Sequence, residues 1–134
     1  IVEIKSLKRI LDAVNKTGRP VLCFIDEVLR GTNTVERIAA SSEILKNLNT
    51  DRALCFAATH DIELTSILKD CYSNYHFQEE VTEDEVKFDY KLYAGPATTR
   101  NAIKLLNVIG YDKNIIKGAE QRAMHFLTDG NWKS

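Results

Sequence analysis

Ile4, Leu7, Leu11 and Val14 recur at the spacing of one helical face, so the chain opens in an amphipathic helix predicted over residues 2–15. Gly18 and then Pro20 supply its stop, a left-handed cap followed by a residue that cannot continue a helix. Val21-Leu22-Cys23-Phe24-Ile25 is apolar without alternation, which predicts a strand over 21–26 buried on both faces. A polar, glycine-containing loop covers residues 29–34. Asn33 followed by Glu36 has the form of a capping box, and Val35, Ile38, Ser42, Leu45 and Leu48 then mark one face of a second helix. Ala53 to Thr59 predicts a second apolar strand, and residues 61–69 a short helix with Leu64, Ile67 and Leu68 inward.

The period then changes. Val86, Phe88, Tyr90 and Leu92 alternate with Lys87, Asp89, Lys91 and Tyr93, the pattern of a half-exposed antiparallel strand. Its expected partner is the segment 72–79, joined through the acidic turn from Thr82 to Glu85. After Gly95-Pro96 come two helices, one with Ala102, Leu105, Leu106 and Ile109 and a stop at Gly110. Asp112 can cap the other, which carries Ile116, Ala119, Ala123 and Phe126. Strands alternating with helices predict an α/β fold: a mostly parallel sheet flanked by helices, with an antiparallel hairpin and C-terminal helices.

The first strand runs straight into two carboxylates, Asp26 and Glu27. Burying both would cost several kcal/mol each, so they belong where the strand ends and meets water or a ligand. Thr59 and His60 close the second strand. In open α/β sheets, ligands sit beyond the carboxyl ends of the strands, so parallel pairing would bring all four groups to one rim. This is the Walker B arrangement of nucleotide hydrolases. Asp26 would accept Mg²⁺, Glu27 would orient and deprotonate a water, and His60 would donate to a γ-phosphate. A plain solvated turn at the acids and a surface histidine are the competing readings. The loop Leu29-Arg30-Gly31-Thr32-Asn33-Thr34 follows, and its amides and hydroxyls at a helix N-terminus suit a phosphate or a partner subunit. His60-Asp61 alone also suits an HD-type metal hydrolase, but His76 and His125 lack the context for its other ligands.

Charge and cysteine usage narrow the class. A net charge of −1 gives no basic footprint for holding nucleic acid with this segment alone. No apolar run approaches a membrane span, so no membrane partner is expected. Cys23, Cys55 and Cys71 show no C-x-x-C spacing and read as reduced, mostly buried thiols of an intracellular, cytoplasmic protein. No G-x-x-x-x-G-K-S/T loop occurs, so the chain by itself has no cradle for a triphosphate and should bind and hydrolyse ATP poorly. Opening on Ile1 inside a helical pattern, it reads as a fragment of a longer protein.

The run Ile25-Asp26-Glu27-Val28-Leu29-Arg30-Gly31-Thr32-Asn33-Thr34 resembles the MutS family of DNA mismatch-repair ATPases, in which D-E-x-x-R-G-T-S/N-T joins Walker B to the D-loop. Ala57-Ala58-Thr59-His60-Asp61-Ile62-Glu63-Leu64 is similar to its A-T-H-x-x-E-L switch, and Tyr90-Lys91-Leu92-Tyr93-Ala94-Gly95 to its Y-K-L-x-x-G hairpin. Ala102-Ile103-Lys104-Leu105-Leu106 with Ile109-Gly110 is similar to its helical end, and Val2-Glu3-Ile4 to the residues after its signature serine. The resemblance covers nearly the whole chain. It implies the C-terminal part of an ABC-type ATPase domain, with residues 1–96 as the α/β part and 97–134 as the helical part. By it, Asp26 would hold Mg²⁺, Glu27 would be the catalytic base and His60 the γ-phosphate switch, while Thr32, Asn33 and Thr34 would lie near a dimer interface. ATP and Mg²⁺ are the implied cofactors of the full-length protein. DNA, reached through other domains, and a second identical or related MutS-like subunit are the implied partners. Leu29 stands where most members have Gly, and Thr99-Arg100-Asn101 where mismatch-repair members usually carry S-Y-G, which marks a divergent branch. A non-catalytic dimerisation module built on the last two helices, or another ABC-type chromosome-maintenance ATPase, are the alternatives.

Overall fold

The computed structural model describes residues 2–29, 31, 33–82, 85–98 and 101–132. Arg30, Thr32, the centre of the acidic turn at 83–84 and the Thr99-Arg100 pair lie outside the described residues. The chain packs as two units, Ile1–Asn74 and Tyr75–Ser134.

In the first unit, helix α1 (Val2–Lys16) precedes strand β1 (Val21–Asp26), helix α2 (Thr34–Leu48), strand β2 (Ala53–Ala58) and helix α3 (Ile62–Ile67). β1 and β2 pair in parallel with Cys23 opposite Cys55 and Asp26 opposite Ala58. A parallel pair requires a crossover, and α2 provides it. The core is one cluster in which Leu7 and Val14 of α1, Cys23 and Ile25 of β1, Leu45 and Leu48 of α2, and Leu64 meet. Val28 and Leu68 join it from the turns that follow β1 and α3. Ser41 is fully buried in α2, where its hydroxyl donates to the Val28 carbonyl at 3.3 Å.

Three expectations fail in this unit. β1 is not buried on both faces: helices cover the Cys23 and Ile25 side, while Leu22 and Phe24 point outward, Phe24 being 72% exposed. Strand side chains alternate, so an unbroken apolar run always supplies a second apolar face, whether or not a layer covers it. In this structure Leu22 and Phe24 face the register partners Leu54 and Phe56, and the two phenyl rings stack with centroids 5.3 Å apart. Ile4 and Val35 are exposed because the first turns of α1 and α2 extend beyond the core. α3 is shorter than expected and leaves Ile67 exposed, with Leu68 buried in the turn beyond it.

The parallel sheet among the described residues has two strands, so the observed class is mixed α/β with small sheets rather than a mostly parallel sheet. In the second unit the remaining strands are short and antiparallel. β3 (Tyr75–His76) pairs with β6 (Tyr93–Ala94), and β4 (Glu79–Val81) with β5 (Val86–Phe88). The expected continuous strand over 86–93 is broken. Asp89 accepts from the Lys91 amide at 3.0 Å and from the Tyr93 hydroxyl, and Tyr90 takes a left-handed φ of 55°. That local turn ends the ladder after Phe88 and restarts it at Tyr93. The pairing segment is therefore 75–81 rather than 72–79.

Helices α4 (Ala102–Ile109) and α5 (Lys113–Asp129) complete this unit. Gly110 ends α4 with φ of 88°, and the Asp112 side chain caps α5 by accepting from the Asn114 amide. Buried Asn101 ties the start of α4 to the hairpin by donating to Glu79 at 3.0 Å. No helix among the described residues is long and apolar enough to cross a membrane.

Candidate functional site

β1 and β2 end side by side, and the chemistry gathers beyond them. Asp26 closes β1 on its exposed face. Alternation would turn Glu27 into the core, but its backbone enters the left-handed region with φ of 53°. The Glu27 amide still extends the ladder by donating to the Ala58 carbonyl at 3.0 Å. A non-glycine residue in that region carries strain of about 1–2 kcal/mol, and such strain concentrates at functional sites. Leu29 follows with φ of 59°. Two left-handed residues within three positions bend the chain sharply away from the strand.

The turn after β2 presents His60, whose side chain is 91% exposed. Its Nε2 lies 3.5 Å from Oε1 of Glu27, whose side chain is 32% exposed. The contact is an ion pair when the imidazole is protonated. Thr59 is engaged locally, its hydroxyl accepting from the Asp61 amide at 3.0 Å. Asn33 caps α2, its side-chain oxygen accepting from the Val35 and Glu36 amides at 3.0 and 3.3 Å. Thr34 is the exposed first residue of that helix. The structure thus brings Asp26, Glu27, Thr59 and His60 to one end of the parallel pair. It gives Asn33 and Thr59 structural hydrogen bonds, and Thr32 falls outside the described residues.

One element of this region has no counterpart in the sequence reading. Arg37 in the first turns of α2 grips Asp61 with both prongs of its guanidinium, Nε at 2.7 Å and Nη2 at 2.5 Å. The side chains are only 24% and 11% exposed. The Asp61 hydrogen bond holds the guanidinium above its ordinary value, helped by its charge and by the nearby carboxylates of Glu27 and Glu63. Asp61 is the residue before α3 and makes no capping bond with its side chain. The pair spans 24 residues of sequence, so no local pattern announces it.

Among the described residues no group of three or more His, Cys, Asp or Glu side chains is arranged to hold a metal. Mg²⁺ commonly takes one or two carboxylates and completes its shell with phosphate and water oxygens, and exposed Asp26 suits that use. An open groove of about 440 Å³ lies in the second unit, against Val81, Ile103, Lys104, Ile116 and Glu120. None of its lining residues belongs to the cluster of acids and imidazole.

The profile of MutS domain V matches residues 1–127, almost the whole chain. The chain belongs to the MutS family. It is 32% identical over 124 residues to the DNA mismatch repair protein MutS of Natronomonas pharaonis, covering 90% of this chain and 14% of that protein. It is 28% identical over 132 residues to the DNA mismatch repair protein MutS 2 of Haloarcula marismortui, covering 96% of this chain and 13% of that one. The MutS protein of Aquifex pyrophilus is 31% identical over 111 residues. The chain spans about one seventh of the length of the curated relatives it matches. The left-handed φ of Leu29 is one that glycine adopts without strain.

Proposed function

We propose that these residues are the C-terminal part of a MutS-like DNA mismatch-repair ATPase domain. In the full-length protein, binding and hydrolysis of ATP would switch a DNA clamp between states. In this reading Glu27 accepts a proton from the attacking water and holds it in line. His60 donates a hydrogen bond to the γ-phosphate. Asp26 would hold Mg²⁺, whose charge would offset that of the phosphates. Thr32, Asn33 and Thr34 would face a second, identical or related subunit. DNA would be held by other parts of the protein, since a net charge of −1 provides no phosphate-binding footprint. A mostly parallel sheet would be completed by further strands added at the edges of this pair, with helices of the intact domain covering the outer face of Leu22, Phe24, Leu54 and Phe56.

The observation that carries the reading is the 3.5 Å approach of His60 to Glu27 across the ends of two parallel strands. A general base and a phosphate-contacting imidazole must converge on one substrate, and this placement allows it. A positioned base contributes roughly 10²–10⁴-fold in rate. In the full-length protein, Glu27→Gln should therefore leave ATP binding intact and lower turnover by about 10²-fold or more. Unchanged steady-state hydrolysis would remove Glu27 from the role of base.

A further inference from the structure

We infer that the Arg37–Asp61 ion pair is a positioning clamp that sets the angle at which His60 meets Glu27. The inference rests on the ATPase reading of the same site and adds a residue to it. Arg37 touches neither water nor phosphate in this account. It acts through the backbone on which His60 stands.

The turn from Ala58 to Asp61 is held at three points. Ala58 accepts from the Glu27 amide at 3.0 Å, and Thr59 accepts from the Asp61 amide at 3.0 Å. The Asp61 carboxylate is held by the two-pronged guanidinium. His60 lies between the second and third of these points. Its side chain is 91% exposed, so packing does little to fix it and the backbone beneath it decides its direction. Arg37 in turn stands on a rigid base. Its amide donates to the Asn33 carbonyl at 2.8 Å, inside a helical turn that Asn33 also caps.

The geometry of the pair suits positioning better than general adhesion. Asp61 occupies the N-cap place of α3 and could bond the free amides there, yet its carboxylate is turned to Arg37. A planar fork against a planar carboxylate fixes orientation as well as distance, which a lysine cannot do. The clamp joins the first turns of the helix that follows β1 to the turn that follows β2. Any shift of α2 relative to β2 is therefore transmitted to His60. Since α2 begins at the loop proposed to face a second subunit, the clamp gives that loop a mechanical route to the imidazole.

The test uses ATP turnover and ATP binding by the full-length protein, with Glu27→Gln as the reference. Misplacing a reacting group by about 1 Å can cost up to 10²-fold, so Arg37→Gln and Asp61→Asn should each lower kcat by about tenfold, with KM for ATP within about twofold. Arg37→Lys keeps the charge pair, and with it the fold, but not the fork, so it should retain most of the loss; full recovery by lysine would overturn the clamp. The deciding measurement is the cycle with His60→Ala. If Arg37 works through the imidazole, Arg37→Gln should change kcat less than about twofold once the ring is gone. A tenfold loss that persists in the His60→Ala background overturns the clamp and makes the pair merely structural. Normal turnover in Arg37→Gln, with Glu27→Gln inactive, overturns the clamp and leaves the ATPase reading standing. Turnover that ignores Glu27→Gln removes Glu27 from the role of base and overturns the clamp, whereas a full-length protein with no ATP turnover at all overturns the ATPase reading.

Discussion

Cys23 sits on the helix-covered side of β1 with Cys55 opposite it in register. Burial first, and then the neighbouring Cys55 thiol, push its pKa up from 9.0 to about 12. The thiolate is the nucleophile, so a raised pKa means an inert thiol. At pH 8 the thiolate fraction of Cys23 is about 10⁻⁴, against about 10⁻¹ for a thiol at 9.0. Iodoacetamide at pH 8 should therefore leave Cys23 unmodified in the native protein and alkylate it rapidly in urea, as read by peptide mass mapping. Rapid native labelling would contradict the burial. The sign for stability follows. The folded state keeps the Cys23 proton between about pH 9 and 12 while the unfolded state loses it, so this thiol's contribution to stability is intact below pH 9 and declines above it. At this scale the sequence was informative where chemistry forces a position. Two acids after an apolar run must lie at a strand end, and so Asp26, Glu27 and His60 could be named. It was silent where a contact depends on the tertiary fold. Asp61 read as the start of a short helix, and nothing in the 23 intervening residues could reveal that its carboxylate belongs to Arg37.

Helix ends and glycines make the element-scale argument sharp, because one substitution type should act in opposite directions. Gly118 lies inside α5 and a Cβ added there meets nothing within 4 Å. Gly118→Ala should stabilise the helix by about 0.5–1 kcal/mol, since glycine in a helix costs backbone entropy without return. Gly110 ends α4 with φ of 88°, where a side chain is strained whatever space surrounds it. Gly110→Ala should cost about 1 kcal/mol. The single tryptophan offers a local probe: Trp132 stacks on Phe126 near the end of α5 with ring centroids 4.3 Å apart. Urea midpoints followed by its fluorescence should rise for Gly118→Ala and fall for Gly110→Ala. The caps that produced these expectations, Asn33, Gly110 and Asp112, could be read from sequence because a helix end is a local hydrogen-bonding problem. The hairpin could not be read as well. Perfect alternation from Val86 to Tyr93 suggested one strand, but Asp89 bonding forward to Lys91 and Tyr93 competes with the ladder and wins.

At the scale of the molecule, the telling surface is the outer face of the two-stranded sheet. Leu22, Phe24, Leu54 and Phe56 form two register rows there, exposed and apolar. A contiguous patch of this kind marks a surface meant for a neighbour or prone to association. Both strands also lack a second hydrogen-bonded partner among the described residues, and unpaired strand edges invite further pairing. Expressed alone, the 134 residues should bind the dye ANS and associate with rising concentration in sedimentation. Phe24→Lys with Phe56→Lys should suppress both, because two charges replace one of the two rows while the helix-covered core beneath is untouched. In the full-length protein the same double substitution should act in the opposite sense. If helices of the intact domain cover this face, as the domain V reading proposes, buried lysines would leave unpaired charges and lower the unfolding transition. A double variant that is neutral in the full-length protein would mean that the face stays open to solvent there and that no helical layer covers it.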